Sequence, residues 1–91
     1  FKPYIAYLDA DKVSFPFVLR KWKAGDDFIP FGMKGKKKLS DYFIDIKLSR
    51  FEKKQIWILE NNGKICWIVG KRLDNRFKVT NKTTKIIKIV T

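Results

Sequence analysis

The residues whose types and spacing most strongly suggest a binding site lie at positions 32–38, where lysines and glycines are interleaved. They are Gly32, Lys34, Gly35, Lys36, Lys37 and Lys38. No acidic residue occurs between Phe28 and Ser40. The lysines come at the start of a predicted helix, where cations oppose the helix dipole but would join its amides around a bound anion. Because glycine lets a ligand approach the backbone closely, the segment predicts a phosphate-binding site; a solvated lysine patch is the alternative.

A second group of cations surrounds Asp74. Arg72 and Arg76 flank this aspartate, and guanidinium groups can make forked hydrogen bonds with phosphate oxygens. An ion pair between Asp74 and one of the arginines, closing the turn, is the alternative, and the two roles are compatible. Residues 71–91 carry seven basic groups against one acidic group, which favours an anionic partner here too.

Acidic side chains offer a third kind of chemistry. Asp41 and Asp45 share a helix face and could coordinate a metal or transfer protons, but a structural role is favoured. Asp41 would complement the helix dipole, and Asp26 would bond backbone amides in the turn that follows Gly25. The residues predicted to organise the loop and the helix are Gly25, Asp26, Gly32, Gly35, Asp41 and Asp45.

Catalytic groups are otherwise absent from the sequence. It has no histidine, and its one cysteine, Cys66, lies in an apolar run that raises the pKa of its thiol and makes it a poor nucleophile. The segment 30–37 departs at two positions from the P-loop motif, which binds phosphates. Pro30 stands where the motif has its first glycine, and Lys37 stands where it has a serine or threonine. We therefore predict no catalytic residue and no metal site.

The overall charge points to nucleic acid. The formal net charge is +12, and the basic residues concentrate in 34–54 and 71–91, on either side of a neutral segment. Such a surface attracts nucleic acid first, an anionic membrane second and an acidic protein third. Most aromatic residues occupy predicted core positions, so we expect contact with the backbone of a double-stranded RNA or DNA and not base readout.

The elements that position these residues are short. One domain is predicted over residues 1–91, with an α+β, β-dominated fold. We expect a small layered sheet, or sandwich-like, domain with one clear helix at about residues 37–47 and two C-terminal hairpins. The hairpins are 56–60 with 64–69, joined at Asn62-Gly63, and Arg76–Thr80 with Lys85–Val90. Further strands are predicted at 4–8 and 17–22, and a Ser49–Glu52 capping box predicts a helical turn at 50–54.

Three sequence blocks together resemble a known family. They are L-R-x-W-x-x-G-D from Leu19, P-x-G-M-x-G-x-K-K-L-S-D-x-F from Pro30, and I-x-W-I-x-G-x-R-x-D-x-R-F from Ile65. The chain resembles the C-terminal domain of tRNA(Ile)-lysidine synthetase along nearly its whole length, from Leu8 to Ile89. The resemblance implies a fragment of a longer bacterial, cytoplasmic ligase that uses ATP, with magnesium, to join lysine to the wobble cytidine of an isoleucine tRNA.

The resemblance also implies that ATP and the tRNA acceptor stem bind to different domains of the parent enzyme. ATP would bind an N-terminal domain through an S-G-G-x-D-S loop that this chain lacks, so the fragment is expected to have no ligase activity and no cofactor. In the family, the C-terminal domain grips the tRNA acceptor stem. The tRNA-binding residues carried over are Arg20, Lys34, Lys36, Lys37, Lys38, Arg72 and Arg76. The expected partners are tRNA and the other domains of the parent enzyme, with a homodimer left open and no membrane.

Two rival functions accompany this interpretation. In one, the chain is an interaction module whose basic face docks on another domain or subunit. In the other, it is an independent enzyme that uses Asp41 and Asp45.

Overall fold

Short antiparallel sheets dominate the computed structural model, which describes residues 4–91. Residues 1–3 of the predicted domain lie outside that range. The strands are β1 (Ile5–Asp9), β2 (Phe17–Lys21), β3 (Asp27–Phe28), β4 (Lys37–Lys38), β5 (Trp57–Asn61), β6 (Lys64–Ile68), β7 (Arg72–Leu73) and β8 (Ile86–Val90). The helices are α1 (Leu39–Asp45) and α2 (Arg50–Lys54), and 3-10 turns cover Ala10–Lys12 and Asn75–Phe77.

The central layer is a four-stranded sheet in the order β2-β5-β6-β7. β5 and β6 form the predicted hairpin, and the positive φ angles of Asn62 (52°) and Gly63 (79°) make its tight turn. Both faces of this hairpin are covered. Ile58 and Ile68 face a cluster built with α1, whereas Leu59 and Trp67 face a cluster built with β1 and Phe77. Burial on both faces explains the nearly continuous apolar sequence of these strands.

Helix α1 closes one side of the sheet. Leu39, Tyr42 and Phe43 are its buried residues. Tyr42 meets Phe28 edge to face at 5.2 Å between ring centroids, and Phe43 meets Trp22 at 5.0 Å. The helix is shorter than the predicted 37–47, because Lys37 and Lys38 pair with β3 as strand β4. The predicted capping box is confirmed: Ser49 Oγ accepts from Glu52 N, and Glu52 Oε1 accepts from Ser49 N.

The second predicted C-terminal hairpin is wrong. Strand β8 pairs with β1, from Ile5↔Val90 to Asp9↔Ile86, and no strand forms at 76–80. Asp74 Oδ1 accepts from Arg76 N and starts a 3-10 turn there, which outweighs the strand propensity of the following residues. The predicted class, α+β and β-dominated with one main helix, is confirmed. Within residues 4–91, no helix is both long and apolar enough to cross a membrane.

Candidate nucleic-acid interface

The loop that leads into the first basic segment lies against the turn around Asp74. Residues 30–36, here called the basic loop, are tied to the turn at 72–75 by backbone hydrogen bonds. Phe31 N donates to Leu73 O at 2.9 Å, and Asn75 N donates to Ile29 O at 2.7 Å. Side chains add to these ties, since Gly32 N donates to Asn75 Oδ1 at 3.0 Å. The basic loop is therefore fixed on the turn that carries the second group of cations.

Asp74 is the centre of this connection. Its side chain is fully buried (0% exposed), and Oδ2 accepts from Ile29 N at 2.8 Å and from Arg76 Nη2 at 2.9 Å. Oδ1 accepts from Arg76 N at 2.8 Å and from Arg76 Nε at 3.0 Å. The hydrogen bonds with Asp74 raise the pKa of the Arg76 guanidinium. The ion pair that closes the turn, predicted as an alternative for Asp74, is present in the structure.

Arg20 also holds internal carboxylates. Its Nη1 and Nη2 donate to Asp26 Oδ2 and Oδ1, each at 3.0 Å, and its Nε and Nη2 donate to Glu60 Oε2 at 3.2 and 3.1 Å. Burial raises the pKa of Asp26, but hydrogen bonds from Arg20 and from Lys23 N outweigh it, so that pKa lies below its usual value. Asp26 also accepts Leu39 N on its backbone oxygen at 3.0 Å. Asp26 thus connects Arg20 of β2, Lys23 in the turn and the first amide of α1.

The four predicted lysines divide into two kinds. Lys37 forms an ion pair with Asp45. The side chains of Lys34, Lys36 and Lys38 are exposed, and none of them forms an ion pair within residues 4–91. The first amide of helix α1, Leu39 N, is already bonded to Asp26 O and is not available to an anion. The exposed lysine side chains therefore supply the free positive charge at this place.

Two clefts lie at the ends of the basic loop. The first, of about 230 Å³, contains three of the predicted tRNA-binding residues together with two carboxylates. Its charged lining residues are Arg20, Asp26, Asp27, Lys36, Lys64 and Arg76. The second, of about 420 Å³, is lined by Phe31, Lys71, Arg72 and Leu73. Arg72 is exposed, and its Nη2 donates to Phe31 O at 2.7 Å.

The three glycines of this region differ in whether the backbone requires glycine at their positions. Gly25 (φ +93°) and Gly32 (φ +85°) occupy the left-handed region that other residues rarely adopt. Gly35 has an ordinary φ, and a Cβ built on it would meet no atom within 4 Å. Nothing in the described part of the fold requires glycine at position 35, which leaves its backbone open to an external ligand.

The remaining candidate groups are the acidic side chains and the thiol of Cys66. Among residues 4–91, no three histidine, cysteine, aspartate or glutamate side chains gather as metal ligands. Asp41 is exposed in the first turn of α1. Cys66 Sγ donates to Leu59 O at 3.3 Å, and burial raises the pKa of its thiol to about 12.

Three members of this surface, Lys64, Lys71 and Phe31, were not singled out from the sequence. Lys64 and Lys71 join it because distant segments meet at the clefts, and Lys78, which follows the turn at Asp74, lies beside Phe31. Phe31 is half exposed on the basic loop (49%), although most aromatics were expected in the core. Its position between Pro30 and Gly32, away from any periodic apolar pattern, was the signal available in the sequence.

Comparisons with known proteins identify relatives of this chain. The protein family described as "TilS substrate C-terminal domain" matches residues 17–89. A tRNA(Ile)-lysidine synthase of Parabacteroides distasonis is 58% identical over 83 residues, covering 91% of this chain and 19% of the relative. The corresponding enzyme of Bacteroides thetaiotaomicron is 49% identical over 82 residues, covering 90% of this chain and 19% of the relative.

The fold agrees as well. A crystal structure of a TilS C-terminal domain superposes with a TM-score of 0.79 at 27% identity, covering 96% of this chain and 67% of that chain. The chain spans about a fifth of the length of the curated relatives it matches. The resemblance found in the three sequence blocks is confirmed, and the chain belongs to the TilS C-terminal domain family.

Proposed function

We propose that this domain binds the acceptor stem of an isoleucine tRNA through the basic loop and the cations beside it. It would thereby position a parent cytoplasmic, ATP-dependent ligase that joins lysine to the wobble cytidine, while having no ligase activity of its own. One observation carries the proposal. The basic loop is fixed to the turn at 72–75, yet its lysines are exposed and form no ion pair within residues 4–91.

The predicted tRNA-binding residues take two roles in this proposal. Those with free charge contact phosphates directly, and they are Lys34, Lys36, Lys38 and Arg72. Those already bound to carboxylates position the surface, and they are Arg20, Lys37 and Arg76. Arg20 and Arg76 would have to leave the buried carboxylates of Asp26 and Asp74 to reach a phosphate, and would gain less from doing so. The Asp45 side chain is 55% exposed, so its pair with Lys37 opposes such a contact only weakly. Exposed lysines without such partners give up only hydration when they contact phosphates, and the counterions that they release from the RNA favour binding.

A salt titration tests the proposal. The domain should bind an acceptor-stem RNA hairpin with a log affinity that falls with log salt at a slope near −4, if about four to five phosphates are contacted. Fluorescence anisotropy between 50 and 200 mM salt measures this slope. An affinity that does not change over this range would overturn the proposal. A minihelix of unrelated sequence serves as the control for non-specific attraction.

Replacing Gly35 by alanine should separate RNA binding from folding. The new methyl group meets no protein atom, so thermal stability should be unchanged or higher by about 0.4–1 kcal/mol. If a phosphate approaches the backbone there, RNA affinity should fall several-fold. Gly32→Ala is the matched control for the effect on folding. The positive φ of Gly32 predicts that this variant loses about 1 kcal/mol of stability. A Gly35→Ala domain that binds RNA like the parent would remove Gly35 from the contact.

A docking function is the second candidate, and one observation favours it. Two adjoining clefts share the exposed or half-buried side chains of Tyr4, Trp57 and Val69, and one of them extends to Leu19 and the other to Phe51. This apolar face suits another domain of the parent enzyme or a second copy better than the basic surface does. Mass measurement by light scattering, for Trp57→Lys beside the parent chain, tests whether copies associate through it.

A further inference from the structure

The basic loop carries an aromatic ring that contributes little to the core. Phe31 is 49% exposed, and its neighbour Met33 is 44% exposed. The backbone beneath the ring is nevertheless fixed, because Phe31 N donates to Leu73 O at 2.9 Å and Phe31 O accepts from Arg72 Nη2 at 2.7 Å. Met33 N donates to Pro30 O at 2.8 Å and closes the turn. The structure thus holds a large apolar ring towards solvent on a fixed support.

Cations surround this ring. Lys78 Nζ lies 5.9 Å from the ring centroid. Lys71 and Arg72 line the same cleft as Phe31. An aromatic face with flanking cations is the combination that binds an unpaired nucleotide, because the base stacks on the ring while the cations attract its phosphate. Trp57 also has a cation at its ring, with Lys21 Nζ 4.7 Å from the centroid, but neither of its two clefts contains a residue of the basic loop.

We propose that Phe31 stacks on one unpaired base of the bound RNA, with Arg72 and Lys71 against the phosphate of that nucleotide. This inference rests on the RNA-binding function proposed above and goes beyond contact with a duplex backbone. A base inside a duplex already stacks on both faces and offers none to a protein ring. An acceptor stem, by contrast, ends in unpaired nucleotides on its 3′ strand. Phe31 would therefore recognise the end of the stem, and the basic-loop lysines would contact the duplex beside it.

Two RNA hairpins with the same stem test this inference, one blunt and one with four unpaired 3′ nucleotides. The parent domain should bind the second more tightly. Phe31→Ala should lower the affinity for this hairpin by about tenfold or more and leave the affinity for the blunt hairpin unchanged, since stacking of one base contributes about 1–3 kcal/mol. Phe31→Trp should retain the preference. Phe15→Ala, which removes another exposed ring outside the basic loop, is the matched control.

The outcomes separate this inference from the proposed function. If the parent binds both hairpins with salt dependence but without preference, and Phe31→Ala changes neither affinity, base stacking is wrong while RNA binding stands. If Phe31→Ala weakens both hairpins equally, the ring supports the loop and stacking is again wrong. If the parent binds neither hairpin, the proposed function itself fails. A 2-aminopurine base in the 3′ overhang should be quenched by the parent and by Phe31→Trp but not by Phe31→Ala.

Discussion

Reversing the charges of Lys34, Lys36 and Lys38 to glutamate should lower tRNA affinity by at least about a hundredfold at physiological salt. Each lost phosphate contact should also reduce the salt slope by about one. The added carboxylates would repel the RNA backbone where the lysines attracted it. Because the three side chains are exposed and form no ion pair within residues 4–91, stability should change by no more than about 0.5 kcal/mol.

A control with the same total charge distinguishes a local surface from general attraction. Lys12, Lys82 and Lys85 are exposed and lie next to the ends of β1 and β8, outside the basic loop and both of its clefts. Their triple reversal to glutamate should reduce affinity far less. Anisotropy titrations at equal salt, with thermal melts of both variants, give the comparison. Equal losses in the two triple variants would mean that net charge alone attracts the RNA, and would contradict the assignment to Lys34, Lys36 and Lys38.

The local parts of the fold could be predicted from sequence because neighbouring residues determine them. Asn62 and Gly63 define the hairpin turn, and Ser49 with Glu52 defines the start of α2. The buried face of α1 followed from the spacing of Leu39 and Phe43. The end of α1 did not follow. Ile46, which the helix predicted at 37–47 includes, lies at the helix C-cap and is 36% exposed.

The long-range pairings could not be predicted in the same way. Strand β8 had two candidate partners of similar strand propensity, and the choice of β1 depends on the complete core, where Ala6 and Leu8 are buried opposite Ile89 and Ile87. Arg20 presents the same limit at the level of a single side chain. Its partner Glu60 becomes adjacent only when β2 pairs with β5. A lysine cluster is visible in sequence, but whether a cation is free or paired depends on such tertiary contacts.

Replacing Asp74 by alanine should destabilise the domain by about 3 kcal/mol. The substitution removes a fully buried carboxylate and leaves Ile29 N without its acceptor and Arg76 without its charge partner. For a domain of this size, a loss of 3 kcal/mol lowers the melting temperature by roughly 12–24 °C. Urea unfolding should show a lower midpoint with an unchanged slope. Asp41→Ala, which removes an exposed carboxylate from α1, is the control and should stay within about 0.5 kcal/mol of the parent.

The substitution Asp74→Asn tests whether the charge at this position contributes to tRNA binding. An amide oxygen can still accept Ile29 N, so the fold should survive with a smaller loss, but the charge that holds the Arg76 guanidinium is gone. Arg76 lines the same cleft as Lys36, so this cation is then held less firmly in that part of the surface. We expect this variant to remain folded at 25 °C and to bind tRNA more weakly than its small loss of stability explains. Parent-like tRNA affinity in a folded Asp74→Asn domain would show that fixing Arg76 contributes nothing to binding.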